Sequence, residues 1–308
     1  MLGEKTILVT GGAGFIGSHA TELLCDLGHS VRVIDDLSFG YEKFVDPRAE
    51  FYKASIADEK TLKKALLGVD VVMHFAASSI IKFSIDNPLL YIENNIVNGA
   101  KLLEGMRTVG VKKIIFSSSA AVYGEPSKIP IPEDHPKNPI QPYGASKLSF
   151  EAILSAYYHS FGIESVSLRY FNAYGPRDEQ EPATRAVPMW IKEILKGKPI
   201  KTYWNGRQVR DYVFVKDIAL AHIAVMNLKG HHVFNIGSGT GIIMRDVLKE
   251  IMKITSINNE VIDQGKRLGD PQKLVADIGA IKKATGWEPK TSLHDGLAQT
   301  IEYYKKYL

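Results

Sequence analysis

The 308-residue chain is 45% hydrophobic and 23% charged, a balance that excludes a disordered or low-complexity protein and allows a sizeable core. Its formal net charge of +4 comes from scattered Lys and Arg, so nothing calls for nucleic acid or a membrane surface, while an anionic small molecule suits it. With no signal peptide before the first strand, no apolar run near the ~20 residues of a membrane span, and one thiol, a cytoplasmic protein without internal disulfides is expected.

In chain order, apolar runs at Thr6–Thr10, 30–34, Glu50–Lys53, 70–75 and 113–117 read as strands. Residues 15–27, 59–67, 88–109 and 142–161 read as helices between and after them, with Cys25 packed in the first. Near-continuous apolar strands alternating with helices predict a parallel sheet covered on both faces. Right-handed crossovers make that a doubly wound α/β fold. A further strand is expected at 164–169. Residues 176–188 are polar, carry three prolines, and read as a loop into a smaller C-terminal α/β lobe. Short strands near 201–203, 212–215 and 233–236 alternate with helices there, and a final helix at 293–306 ends in lysines, which suit a helix C-terminus. The expected division is 1–172 for a nucleotide-binding domain and 173–308 for a substrate lobe, with segments near 212–237 returning to the first domain.

The first strand runs into Gly11-Gly12-Ala13-Gly14-Phe15-Ile16-Gly17, and then a helix begins. Glycines there let the backbone turn tightly and approach a pyrophosphate, which the helix N-terminus receives with free N–H groups. The second strand ends at Asp35-Asp36, where a carboxylate can accept both ribose hydroxyls and repel a 2′-phosphate, so NAD is expected over NADP. Arg32, three residues before Asp35 on the strand, should face the other way.

Tyr143 and Lys147 fall one helical turn apart behind Pro142. A phenol with a pKa of about 10 is a poor base at neutral pH, and a nearby ammonium favours its ionised form. An exposed Tyr/Lys pair would read the same way. Strand 113–117 leads into Ser117-Ser118-Ser119, at a carboxyl end where this fold places ligands; the hydroxyls serve either a proton path or a turn. His74 follows Val71-Val72-Met73 inside a strand and is expected to be structural. No metal site is expected.

Together with these, His74-Phe75-Ala76-Ala77, Arg169-Tyr170-Phe171-Asn172, Gly175-Pro176-Arg177, Arg210-Asp211-Tyr212 and Arg267-Leu268-Gly269-Asp270 give a pattern over essentially the whole chain that resembles the extended short-chain dehydrogenase/reductases, and within them the UDP-glucose 4-epimerases. The resemblance implies a Rossmann domain holding tightly bound NAD, and reversible inversion at C4 of a UDP-hexose through a transient 4-keto sugar. It makes Tyr143 the base, Lys147 the nicotinamide-ribose ligand, and Ser119 a proton-transfer partner that also touches the sugar. The cofactor's contacts would come from Gly11, Gly14, Phe15, Ile16, Gly17, Asp35, Asp36, Ser38, Ser55, Ile56, Phe75, Ala76, Ala77, Asn95, Ser117 and Tyr170 besides Tyr143 and Lys147. The substrate's would come from Asn172, Ala186, Val187, Tyr203, Arg210, Arg267 and Asp270, the arginines at the diphosphate.

Three residues depart from the pattern. Ser55 stands where many relatives carry aspartate, Ser79 replaces a lysine that contacts the cofactor, and Leu274, of intermediate bulk, occupies the position facing the sugar's C2 substituent. A UDP-N-acetylhexosamine or UDP-uronate epimerase therefore stays open. Dehydratases and decarboxylases resembling this chain carry acidic residues where Ala120-Ala121 stand, and methyl groups cannot shuttle protons. A non-enzymatic NAD sensor would need no Ser119, Tyr143 and Lys147. Relatives pair through two long helices, here 88–109 and 142–161, so a homodimer is expected.

Overall fold

A computed structural model of the chain describes residues 3–179, 184–265 and 271–308. Seven strands form one parallel sheet, in the spatial order His231–Ile236, Glu164–Tyr170, Lys113–Ser119, Val71–His74, Thr6–Thr10, Ser30–Asp35, Glu50–Lys53. Alternation of side chains builds a core on each face. Ile7, Val9, Val33 and Met73 turn to one side, and Leu8, Ile34, Val72 and Ile114 to the other. The chain winds outward from Thr6–Thr10 in one direction and then, from Val71, in the other. The carboxyl ends of those two neighbouring strands therefore bound the crevice where such sheets bind ligands.

The helices on the sheet follow from local sequence. Phe15–Asp26 starts on the glycine turn. Glu59–Leu66 is capped by Asp58, whose carboxylate accepts from the N–H groups of Lys60 and Thr61. Pro142 opens Pro142–Phe161, and Gly162, left-handed at φ 65°, ends it. The expected helix 88–109 is one rod in three parts: Pro88–Ile92, a wide π turn over Glu93–Val97, and Asn98–Val109. A short helix at Ile81–Asp86, unread from sequence, precedes it.

Beyond the strand Glu164–Tyr170 the chain builds a second core around Tyr174, Trp190, Ile191, Phe214 and Leu297, against which Phe15 and Ile16 of the glycine turn pack. Three small sheets frame it. Asn172–Tyr174 pairs with Tyr212–Phe214, Ile200–Thr202 with Val261–Asp263, and Val209–Arg210 lies between Ile242–Ile243 and Lys273–Leu274. The strand His231–Ile236 leaves this region and joins the edge of the main sheet.

Cys25 is half-buried against the core, and burial pushes its thiol up to about 11, so it is an inert packing group. His19, buried beside the loop after Gly175, has its imidazole pushed down to about 3 by burial and by the Arg177 charge, and its Nε2 lies 3.0 Å from the Pro176 carbonyl. A folded pKa below the unfolded one means the unfolded chain binds the extra proton, so this residue costs stability as pH falls from 6.5 toward 3. His19→Gln keeps a donor for Pro176 and removes the titration. Its unfolding free energy should fall less steeply than the parent's across that window, by up to about 1.4 kcal/mol per pH unit, as read from urea unfolding at pH 7, 6 and 5.

Candidate active site

One cavity of about 1100 Å³ runs from the glycine turn across the carboxyl ends of the strands to the second lobe. At its floor, Gly11 has φ 73°, and a Cβ there would lie 2.6 Å from the Ala76 nitrogen; a Cβ on Gly17 would lie 2.2 Å from the Gly11 carbonyl oxygen. The turn is therefore closed to side chains, leaving bare backbone and the N-terminus of Phe15–Asp26 facing the cavity with Gly14, Phe15 and Ile16. Asp35 ends its strand there. Its carboxylate accepts from the N–H groups of Ala13 (3.0 Å) and Leu37 (2.9 Å), and burial holds its pKa above the ordinary value. Asp36 accepts from the Ser38 hydroxyl at 2.6 Å. Arg32 faces away, as expected, pairing with Glu50 at 3.1 Å.

Of the other residues expected at the cofactor, Ser55, Ile56, Phe75, Ala76, Ala77, Ser117 and Tyr170 line the cavity. Asn95 does not. Its amide is spent inside the protein: Oδ1 accepts from Ser78 N–H (2.8 Å), and Nδ2 donates to the Ser78 carbonyl (3.0 Å) and Ser146 Oγ (2.9 Å). Burial at the π turn makes it a brace for the helix carrying Tyr143, and its neighbour Asn94 lines the cavity instead.

Helix Pro142–Phe161 and the strand end at Ser119 bring Ser119, Tyr143 and Lys147 together. The Tyr143 ring stands edge-on to Tyr91, 6.4 Å between centroids. Burial pushes the Tyr143 phenol up, and a hydrogen bond with Ser119 and the charge of Arg185 pull it back. Lys147 lies with Nζ 5.9 Å from the Tyr143 ring centroid and donates to the Ser117 carbonyl at 2.7 Å. Burial brings it down to about 7, opposed by Glu151 one turn on. Ser119 and Arg185 thus join Lys147, the neighbour expected from the spacing, around the phenol.

Two charged groups at the site escape a sequence reading. Glu151 is buried and accepts from Ser118 Oγ (2.5 Å) and from Arg169 Nε (3.0 Å) and Nη2 (2.7 Å); its spacing of four from Lys147 was the available signal. Arg185 precedes the helix Ala186–Leu195, in a stretch read only as loop. His74 is structural, with Nδ1 2.7 Å from Thr10 Oγ1 and burial pushing its pKa down to about 3.

On the substrate side, Asn172, Ala186, Val187, Tyr203, Arg210 and Leu274 line the cavity. Arg210 is held in the strand Val209–Arg210, with Nη1 donating to the Val209 carbonyl at 2.9 Å. Arg267 and Asp270 lie outside the described residues. Among the described residues no cluster of His, Cys, Asp or Glu could hold a metal ion, and no helix is long and apolar enough to cross a membrane.

This arrangement has close parallels. The chain is 38% identical to a UDP-glucose 4-epimerase of Lactobacillus helveticus over 98% of this chain and 97% of that one. A UDP-glucose 4-epimerase from Thermotoga maritima, solved with UDP-glucose, superposes with a TM-score of 0.94 at 38% identity, covering 98% of this chain and 99% of that one. A UDP-N-acetylglucosamine 4-epimerase from Methanobrevibacter ruminantium, in complex with UDP-N-acetylmuramic acid, also gives 0.94, at 34% identity and 99% coverage of both. The model of the NAD dependent epimerase/dehydratase family matches residues 7–237, and the chain belongs to that family.

Proposed function

We propose that the protein is a UDP-glucose/UDP-galactose 4-epimerase with resident NAD. The observation that carries this reading is a single cavity joining a glycine turn closed to side chains, the Asp35 carboxylate, and the Ser119–Tyr143–Lys147 group. Those residues fit a dinucleotide. The bare N-terminus of Phe15–Asp26 would receive its pyrophosphate, Asp35 its adenosine ribose, and Lys147 its nicotinamide ribose. Bound there, NAD would supply a reversible hydride acceptor at the sugar's C4.

The chain's own part is to hold and move a proton. Tyr143 takes the 4-hydroxyl proton and returns it, with Ser119 hydrogen-bonded to the phenol and sharing it toward the sugar. Arg210 and Asn172 grip the diphosphate end, so that remote binding energy keeps the substrate while its oxidised hexose turns over within the cavity. Ala120 and Ala121, methyl groups beside Ser119, offer no acid or base for eliminating water or carbon dioxide. The test is a panel: purified protein with UDP-galactose, UDP-N-acetylgalactosamine or UDP-galacturonate, with the 4-epimers separated by chromatography. Turnover of UDP-galactose is expected; brisk turnover of another sugar without it overturns the substrate. The N-acetylhexosamine reading is the second one, favoured by the Methanobrevibacter relative, and Leu274, of intermediate bulk in the lining, does not exclude it.

We also propose a cytoplasmic homodimer. Leu89, Leu90, Ile92 and Val97 are exposed apolar side chains on the rod before Asn98, with Leu89 77% exposed. Leu89→Asp should convert a dimeric mass into a monomeric one in light scattering, with folding unchanged by circular dichroism.

A further inference from the structure

The cavity's cations are unevenly placed. Lys147 lies deep beside Tyr143 and donates a hydrogen bond to the Ser117 carbonyl. Arg177 is paired with Glu22 at 2.6 Å, and Lys82 and Lys201 are exposed side chains of Ile81–Asp86 and Ile200–Thr202. Arg210 belongs to the small sheet of the second lobe. Arg185 is different. Although it comes from the second lobe, its guanidinium sits 5.6 Å from the centroid of the Phe15 ring, on the glycine turn itself. Its Nη2 is 3.4 Å from Ser79 Oγ, beyond the strand Val71–His74, so it spans both strand ends that bound the crevice. Nη1 is held at 2.5 Å by Asp178, a carboxylate 2% exposed whose other oxygen, Oδ2, has no hydrogen-bond partner among the described residues.

We propose that Arg185 holds the pyrophosphate of the resident dinucleotide, closing on it from the second lobe opposite the N-terminus of Phe15–Asp26. This rests on the NAD reading above. A diphosphate at that helix end meets backbone N–H groups on one side only, and its remaining charge needs a fixed cation on the other. A guanidinium carries five donors. Asp178 and Ser79 engage two, which leaves capacity for a forked phosphate contact, and the buried carboxylate keeps the fork in place. Position 79, where the resemblance implies a lysine in contact with the cofactor, holds a serine in hydrogen-bonding reach of Arg185, so a cation from the lobe stands beside the place of the one the sheet lacks. Cofactor retention then depends on the lobe staying closed.

The experiment measures NAD, not turnover. Parent, Arg185→Met, and Arg185→Met with Ser79→Lys are purified, their co-purifying nucleotide is quantified after acid release, and NAD affinity is measured by calorimetry on stripped protein, with thermal midpoints as the folding control. The expected result is a loss of NAD affinity of about tenfold to a hundredfold in Arg185→Met, recovered in large part by Ser79→Lys. Parent-like NAD affinity in Arg185→Met overturns the proposal, and a raised KM for the UDP-sugar alongside it would reassign Arg185 to the substrate. A parent that binds no NAD would overturn the underlying reading as well, so the two failures are distinct.

Discussion

Tyr143→Phe should hold NAD and UDP-sugar about as tightly as the parent and lose turnover by roughly 10²- to 10⁴-fold. The ring packs edge-on to Tyr91, and a phenylalanine fills the same slot, so the variant removes an oxygen and little else. The oxygen matters because burial pushes this phenol up, away from the neutral pH at which it must accept a proton. Ser119 is one of the two groups opposing that push. Ser119→Ala therefore leaves Tyr143 with a higher pKa than in the parent. Since the ionised phenol is the base, the rising limb of kcat against pH moves toward alkaline values, and activity at pH 7 falls more than activity at pH 9. A Ser119→Ala profile that scales down uniformly at every pH would mean that Ser119 only contacts the sugar. Full activity in Tyr143→Phe would remove the proton-transfer argument altogether, and tight NAD binding by that inactive variant is what separates lost chemistry from a lost fold.

The sheet could be read from sequence because parallel strands buried on both faces carry unbroken apolar runs, as in Ile7-Leu8-Val9 and Val71-Val72-Met73. The glycine turn was equally plain, since close backbone approach admits no other residue at Gly11 or Gly17. What escaped is what periodicity does not encode. The π turn at Glu93–Val97 slips the hydrogen-bond ring by one residue without breaking the apolar pattern, and that slip turns Asn95 inward to Ser78 and Ser146. The two-residue strands at Val209–Arg210, Ile242–Ile243 and Lys273–Leu274 are too short for any alternation to show, so the strand that holds Arg210 was not read. Arg185 was invisible for a different reason. Its partners, Phe15, Ser79 and Asp178, lie up to 170 positions away in sequence, and only the packing of the second lobe against the glycine turn brings them together.

Glu151→Leu should destabilise the fold by about 3–5 kcal/mol, the scale for removing one member of a buried ion pair. Glu151 is on the helix that carries Tyr143 and Lys147, and its carboxylate takes both forks of Arg169 and the Ser118 hydroxyl with almost no solvent contact. Arg169 in turn donates to Tyr123 OH (2.8 Å) and the Glu133 carbonyl (2.9 Å), and the Tyr123 hydroxyl donates to Asn235 (2.7 Å), so the pair ties the catalytic helix to three strands of the sheet. Leucine strands the guanidinium without its counter-charge. The double variant Glu151→Leu with Arg169→Met removes both charges and should regain most of that loss in urea unfolding, because the desolvation cost goes with them. It should not regain function. The charge of Glu151 is what resists the downward push of burial on Lys147, already at about 7. Without Glu151 the ammonium gives up its proton at a lower pH, and above that pH Lys147 has one donor fewer for the nicotinamide ribose. The folded double variant should therefore bind NAD nearly as well as the parent at pH 5, where both carry the ammonium, and clearly worse at pH 7, where only the parent keeps much of it, a split that a purely structural role for the pair would not produce; equal ratios of parent to variant affinity at the two pH values would confine Glu151 to holding the helix.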